Sequence, residues 1–287
     1  MRLRPRRLIT TLIVMFVSTI LCFVLTPRGV PSAPFDYHEQ RAIHQTALTD
    51  VAIDRSPPIS MPPTDQFDAP VGPLKIWLLL PEEKVQRPLP TILWFHDGPA
   101  LQETDFERVR PLVEGGVAVA LPSWRGEHGN PGAYELNLGE VDDARAAVRW
   151  AAAHPELDAG LLFTFGAGTG GMLSGLMSLQ ADLPLVATAS ISALVQPRHL
   201  DRISAPLPFV DTKRDRQLRT FTPHFGSVVH PHIAYVGEDD PLIGPYEQVL
   251  QEAIDREGSR VNLLWLPGPQ EAIQTASIEA FRAQIGP

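Results

Sequence analysis

From residue 74 onward, short apolar runs alternate with longer stretches of helical character. Seven runs have the length and composition of strands: 74–80, 91–95, 117–121, 161–165, 185–191, 232–236 and 261–266. Five stretches between or after them have helical patterning: 105–114, 140–153, 169–179, 246–257 and 272–284. This order predicts an α/β domain over 74–287, with a mostly parallel central sheet and helices on both faces. Ligands in such domains bind at the carboxyl ends of the strands.

The N-terminus carries a targeting signal. A basic tail, 1–7, precedes an uncharged run over 8–25, which at about 1.5 Å per residue is long enough to cross most of a bilayer core. The run ends in Thr26-Pro27-Arg28 without a small-x-small cleavage site. We therefore predict one N-terminal transmembrane helix, a signal anchor, with the tail in the cytoplasm and everything after it outside. A bacterial inner membrane with a periplasmic domain fits this arrangement.

Two segments lie outside this alternation of strands and helices. The region 26–73 is rich in proline and polar residues, which predicts a linker leading into peripheral strands. The region 196–227 is predicted to be an irregular or helical cap on the domain.

Composition excludes several classes of partner and cofactor. The chain has 24 Lys and Arg against 33 Asp and Glu, a formal net charge of −9, and its folded region has no basic stripe, so nucleic acid is not an expected partner. Its one cysteine, Cys22, lies in the predicted anchor, which leaves the domain without a thiol nucleophile. His230 and His232 have no third ligand nearby in sequence. We predict no metal and no cofactor, and the sequence names no protein partner.

Glycine-rich or acidic motifs follow several predicted strands. The first is a tight turn, His96-Asp97-Gly98-Pro99. A polar loop with Arg125 and Glu127 follows the third strand. The fourth strand leads into Gly166-Ala167-Gly168-Thr169-Gly170-Gly171, and the last two lead into Gly237-Glu238-Asp239-Asp240 and Leu266-Pro267-Gly268-Pro269-Gln270-Glu271.

In this order the motifs resemble the α/β-hydrolase superfamily, and within it the prolyl oligopeptidase (S9) family of serine peptidases and related esterases. The resemblance implies a strand-to-helix elbow that presents a serine, and that position is Gly168. It places the triad acid on Asp240, which is retained, and the triad histidine on Glu271. It also makes the turn at Asp97 and Gly98 the oxyanion-hole loop.

Acyl transfer needs a hydroxyl to attack and an imidazole to move its proton. Gly168 has no side chain, and a carboxylate with a pKa near its normal value of about 4.3 is a poor proton shuttle at neutral pH. We therefore predict a catalytically impaired relative of these hydrolases. In this interpretation the old pocket binds a small-molecule, peptide or protein ligand without turnover, through Asp97, Gly98, Arg125 and Glu127.

Two alternatives remain at this point. An active hydrolase could use Thr169, one residue along the elbow, as its nucleophile. A nucleotide-binding protein could use Gly166, Gly168 and Gly171, which have G-x-G-x-x-G spacing between a strand and a helix. The named polar residues also have structural interpretations, with Asp97 stabilising its turn, Arg125 and Glu127 ordering a loop, and Asp240 capping a turn.

Overall fold

The computed structural model describes residues 36–51, 53–82, 87–202, 206–268 and 270–285. The predicted tail 1–7, the predicted anchor 8–25 and linker residues 26–35 lie outside this description, as do the side chains of Gln270 and Glu271. Within the described ranges, no helix is both long enough and apolar enough to cross a bilayer.

Eight strands form the sheet of the described chain: β1 (Asp65–Ala69), β2 (Gly72–Leu79), β3 (Leu89–Phe95), β4 (Ala118–Pro122), β5 (Leu157–Ala167), β6 (Leu185–Ile191), β7 (His232–Gly237) and β8 (Val261–Leu266). Their order across the sheet is β1-β2-β4-β3-β5-β6-β7-β8. The first two pairings, β1 with β2 and β2 with β4, are antiparallel, and every later pairing is parallel. The prediction of a mostly parallel sheet is confirmed.

Seven α-helices lie in the described residues: α1 (Tyr37–Ile43), α2 (Glu103–Glu114), α3 (Glu140–Ala153), α4 (Gly168–Met177), α5 (Lys213–Arg219), α6 (Glu247–Arg256) and α7 (Gln270–Ile285). Short 3-10 turns occur at Pro197–Arg202, Thr222–Ser227 and Gly244–Tyr246. The described part of the segment predicted as a cap, 196–227, therefore contains α5 and two of these turns.

Helices cover both faces of the sheet, as β5 shows. Alternate side chains of a strand point to opposite faces. On one face, the rings of Phe163 and Phe165 lie 5.8 and 4.8 Å from the ring of Phe281 on α7. On the other face, the hydroxyl of Thr164 hydrogen-bonds that of Ser174 on α4 at 2.8 Å. The central strand is thus buried between two helical layers.

The fold begins before the predicted boundary at 73–74. Strand β1 pairs with β2 from Asp65 onward, so the hairpin belongs to the sheet. Helix α1, in the predicted linker, packs its Tyr37 ring 4.7 Å from the ring of His224 in the cap segment. The helix has few apolar residues and its sequence lacks an amphipathic pattern, which is why only its tertiary contacts reveal it.

Candidate functional site

The elbow at the end of β5 keeps a strained turn without a reactive side chain. Gly168 begins α4 with a φ of +49°, a conformation that residues with side chains rarely adopt. Gly170 is forced to be small for a different reason, since a Cβ there would lie 2.2 Å from the carbonyl oxygen of His96. The glycine pattern in this motif is therefore explained by backbone geometry and close packing.

The carboxylate of Asp97 fills the space beside the elbow. A Cβ built on Gly168 would lie 2.1 Å from Oδ1 of Asp97. That oxygen accepts hydrogen bonds from the backbone N–H groups of Thr169 at 2.8 Å and Gly98 at 2.7 Å. In α/β hydrolases, the residue after the nucleophile and the loop after the third strand supply the two oxyanion-hole donors. Here the corresponding donors bind a carboxylate of the chain itself.

Thr169 is enclosed in the same network. Its hydroxyl donates to Oδ1 of Asp97 at 3.1 Å and accepts from the N–H of Gly98 at 2.9 Å. Its carbonyl oxygen accepts from the side-chain amide of Asn137 at 3.0 Å, and the residue is only 5% exposed. Among the described residues, no imidazole hydrogen-bonds to the Thr169 hydroxyl, so the groups around it are a carboxylate and backbone amides.

Asp240 follows β7 and orders the loop that contains it. Its Oδ1 accepts from the backbone N–H groups of Leu242 and Ile243, both at 2.9 Å. Asp240 also lines a cavity of about 240 Å³ with Ser192 and with Gly268, which lies in the turn before α7. The structure thus brings the acid position close to the turn that precedes Glu271, although the Glu271 side chain lies outside the description.

Comparisons with known proteins agree with this geometry. The model of the X-Pro dipeptidyl-peptidase (S15) family matches residues 73–202, from β2 to the first turn of the cap segment. No protein of curated function matches the chain in sequence.

Solved structures match over most of the chain. A hyperthermophilic esterase from the archaeon Pyrobaculum calidifontis aligns with a TM-score of 0.63 and 17% identity, covering 79% of this chain and 86% of its own. The acylaminoacyl peptidase of Pyrococcus horikoshii aligns with a TM-score of 0.60 and 14% identity, covering 76% of this chain but 40% of its own. XC6422 from Xanthomonas campestris, described as an α/β serine hydrolase without a lid, aligns with a TM-score of 0.51 and 21% identity, covering 79% and 94%.

The described chain has the α/β-hydrolase fold. The predicted resemblance is confirmed at the level of the fold, and esterases and serine peptidases are among the proteins that the chain resembles. Identities of this size establish the fold, whereas chemistry has to be argued from the site itself.

Glu127 supports the loop that carries Asp97 and Gly98 in this α/β-hydrolase fold. It is fully buried, and its Oε1 lies 3.2 Å from Nε2 of His96 and 3.1 Å from the Arg55 guanidinium. Burial opposes both charges, yet the charge of Glu127 raises the pKa of His96, and that of His96 lowers the pKa of Glu127. This buried pair anchors the residue next to Asp97, so Glu127 positions the loop and does not face the cleft.

Arg125 is also buried, and its guanidinium pairs with carboxylates inside the domain. Its guanidinium forms a two-pronged pair with Asp143, with Nε–Oδ2 at 2.9 Å and Nη2–Oδ1 at 2.8 Å, and a third contact with Glu135 at 2.6 Å. The residue is 9% exposed. Of the predicted binding residues, Asp97 and Gly98 lie at the elbow, whereas Arg125 and Glu127 belong to networks beneath it.

Three histidines that the sequence leaves unassigned hydrogen-bond to groups other than the elbow hydroxyl. His128 contacts the carbonyl of Leu101 at 3.0 Å, and His224 contacts that of Gln217 at 2.8 Å. His199 lies 3.4 Å from the Tyr246 hydroxyl. These three imidazoles are therefore engaged in local structure.

One serine–histidine pair was missed by sequence reasoning. Nε2 of His232 lies 2.9 Å from the hydroxyl of Ser190, and Nδ1 lies 2.7 Å from that of Thr188. All three are at most 1% exposed, and burial lowers the pKa of His232 to about 3. The apolar-to-polar alternation on β6 was the available signal, and the pair bridges β6 and β7 out of reach of a substrate. No group of three potential metal ligands occurs among the described residues.

The glycines of the nucleotide alternative have packing roles in this fold. A Cβ at Gly171 would meet Ala193 at 2.7 Å, and one at Gly166 would meet the backbone of Gly170 at 2.5 Å. The N-terminus of α4, where a phosphate would bind, already holds the Asp97 carboxylate.

Proposed function

We propose that this chain is a membrane-anchored, catalytically silent member of the α/β-hydrolase fold that binds a ligand or partner in or beside its former active site. Three features support the proposed lack of catalytic activity: no nucleophile at Gly168, no imidazole at position 271, and an oxyanion site already occupied by Asp97. The first two are substitutions visible in the sequence. The third comes from the three-dimensional structure.

The contact of Asp97 with the elbow carries the proposal. An oxyanion hole stabilises negative charge that develops in the transition state, because its donors are aimed at that position before reaction. Donors that already hold a carboxylate oxygen at 2.7 and 2.8 Å are not available to a substrate. Acyl transfer therefore lacks its electrostatic stabilisation as well as its reacting groups.

Restoring the chemistry requires three changes together. Gly168→Ser and Glu271→His supply the nucleophile and the base, but the new Cβ would lie 2.1 Å from Asp97 Oδ1. Asp97→Gly removes that clash and takes the carboxylate away from both donors. We expect the native chain to give no turnover of a chromogenic short-chain ester or of a proline-containing peptide amide, and the triple variant to hydrolyse the ester.

The matched control is the double variant Gly168→Ser, Glu271→His, which keeps Asp97. We expect it to remain silent, since its serine and its oxyanion site both meet the carboxylate. Turnover by the native chain at more than about 10³ over water would contradict the proposal, because that level already corresponds to an oxyanion site and binding without a triad.

The hydroxyl–carboxylate pair at the elbow favours a second candidate function. Oγ1 of Thr169 lies 3.1 Å from Oδ1 of Asp97, so a carboxylate could accept the proton of a threonine nucleophile. In that case the native chain hydrolyses the ester, and Thr169→Ala and Asp97→Asn each abolish the activity. Thr169→Ser should retain it.

Membrane anchoring is supported by the sequence alone, through the basic tail 1–7 and the apolar run 8–25. We expect the full chain to sediment with membranes and to resist extraction at high pH, whereas a chain lacking residues 1–26 is recovered in the soluble fraction. A protease added outside the inner membrane should digest the domain of the full chain. Recovery of the full chain in the soluble fraction would contradict anchoring.

A further inference from the structure

Three exposed apolar side chains lie where the N-terminal part of the domain meets the cap segment. The exposed fractions are 65% for Ile43, 43% for Leu48 and 52% for Val210. The strip 42–49 runs beside the cap segment, since Leu48 forms an isolated antiparallel bridge with Phe209, and the N–H of Val210 donates to a carbonyl of the strip at 2.8 Å. Single exposed apolar residues are ordinary on protein surfaces, whereas several on adjoining segments favour a contact with another surface.

The cap segment beside this strip is positively charged within an acidic protein. Residues 196–227 contain six Lys or Arg and three Asp, whereas the whole chain has a formal net charge of −9. Two of these aspartates bond the Arg216 guanidinium, and the third bonds that of Arg219. Three other basic residues are exposed and have no carboxylate partner within the described ranges: Arg202, Lys213 and Arg214.

The apolar residues and two of the basic residues form one face. Lys213 and Arg214 begin α5, three and four residues after Val210. The next residue of α5, Asp215, accepts a hydrogen bond from the hydroxyl of Thr46 in the strip at 2.8 Å, so the start of α5 lies against the strip. We define the anchor-proximal face as Ile43, Leu48, Val210, Lys213 and Arg214.

The chain reaches this face soon after the predicted anchor. Residues 26–36 link the anchor to α1 and, at no more than about 3.6 Å per residue, extend at most about 40 Å. The strip 42–49 begins at the end of α1. The length of the linker therefore limits how far the anchor-proximal face can lie from the bilayer.

We propose that the anchor-proximal face binds the surface of a bilayer that contains anionic lipids. This inference rests on the membrane anchoring in the proposed function and adds how the domain is oriented against the bilayer. Lys213 and Arg214 pair with the lipid phosphates, and the three apolar side chains enter the boundary between headgroups and acyl chains. The rest of the domain is acidic and is repelled by the same surface, which favours this one orientation. A free polyanion would engage the charges and leave the apolar residues exposed.

Fluorescence quenching by lipids tests the orientation on the full chain. In a Cys22→Ser background, a fluorophore is attached at Val210→Cys, and the protein is reconstituted into vesicles whose lipids include some with a nitroxide on the headgroup. The matched control is Ala283→Cys, which is exposed on α7, at the opposite face of the sheet. In phosphatidylcholine vesicles with about 30% phosphatidylglycerol, we expect quenching at Val210→Cys to exceed that at the control by about twofold or more.

Charge variants test the electrostatic part of the contact. Lys213→Glu with Arg214→Glu should lower quenching at Val210→Cys to the level of the control, because acidic residues are repelled by phosphatidylglycerol. Acidic residues suit the first turn of a helix, so α5 should still form, and circular dichroism checks this. Lys213→Arg with Arg214→Lys keeps both charges and should retain the quenching. High salt should reduce it, since salt screens exposed charges.

Two results would overturn the proposal while leaving the anchor in place. One is equal quenching at Val210→Cys and Ala283→Cys in a chain that floats with the vesicles. The other is quenching at Val210→Cys that is the same in vesicles of phosphatidylcholine alone and is unchanged by the charge reversal, because the linker by itself would then account for it. A full chain that does not float with vesicles would overturn both the anchor and the face.

Discussion

Asp97 acts at two places at once. It lies in the loop after β3, but its Oδ1 accepts from the N–H and the hydroxyl of Thr169 in the first turn of α4. The positive end of that helix dipole favours a carboxylate there, and the same oxygen occupies the oxyanion position. One side chain therefore stabilises the elbow and, in the proposed function, also closes it to an acyl substrate. Substitutions at Asp97 should therefore change the free energy of unfolding and the hydrolytic activity independently of each other.

Removing the carboxylate should lower stability measurably. Asp97→Ala leaves the N–H of Thr169 without its acceptor and the N–H of Gly98 with only the Thr169 hydroxyl, and we expect a loss of about 1 to 2 kcal/mol in the free energy of unfolding. Urea unfolding measures it. Asp97→Asn keeps an oxygen acceptor and serves as the control, with a smaller loss. An Asp97→Ala variant as stable as the parent would show that solvent replaces the contact at no cost.

At the scale of elements, the chain around Thr46 meets the cap segment at Arg219. This fully buried guanidinium donates to Asp215 at 2.7 Å, to the carbonyl of Glu135 at 2.7 Å and to the hydroxyl of Thr46 at 2.8 Å. Burial would raise the pKa of Asp215, but hydrogen bonds from Thr212, His44 and Thr46 lower it to about 2. The Arg219–Asp215 pair thus links the cap segment to the chain around Thr46, far away in sequence.

Breaking that pair should be costly, and neutralising both partners less so. Arg219→Met leaves the carboxylate of Asp215 without its buried cation, and we expect a loss of about 3 to 5 kcal/mol in the free energy of unfolding. The double variant Asp215→Asn, Arg219→Met removes both charges and should recover part of this loss. Thermal and urea unfolding of the two variants measure the difference. Equal losses would mean that the charge of Asp215 is not the cause.

At the scale of the whole molecule, stability should depend on pH through Glu140. This residue opens α3, is 2% exposed, and lies near the buried Arg125–Asp143 pair. Burial raises the pKa of Glu140 to about 7 from its ordinary 4.5. A carboxyl with a raised pKa stabilises the fold fully below its unfolded value, and this contribution is lost as pH rises from 4.5 through about 7.

Glu140→Gln mimics the neutral acid at every pH. We expect the variant to match the parent near pH 4.5 and to be more stable than the parent above pH 7, by up to about 3 kcal/mol. Urea unfolding of the parent and the variant, repeated at pH values from about 4.5 to about 8.5, measures the dependence of their stabilities on pH across this titration. Parallel curves would mean that Glu140 does not titrate in the folded protein.

The central architecture was predictable because its signals are local. The strand at Leu185–Ile191, the strand at Val261–Leu266 and the helix at Glu140–Ala153 have the predicted bounds, since each is a strong periodic or apolar run with clear ends. Helix α1 was missed, because its contacts with the cap segment are not encoded in its own pattern. The absence of a serine at Gly168 could be predicted from the sequence. The contact of Asp97 with the elbow could not, because it depends on how two loops 72 residues apart approach each other.

The occupied elbow has a consequence for how such a protein would be noticed at all. Reagents such as fluorophosphonates find hydrolases in cell extracts by bonding covalently to an activated serine, and Gly168 offers them no atom to attack. Under the proposed function, labelling of the hydrolases in a cell extract would therefore not detect this chain, whereas a comparison of folds would include it. Proteins of this kind would be those that share the fold but are not labelled.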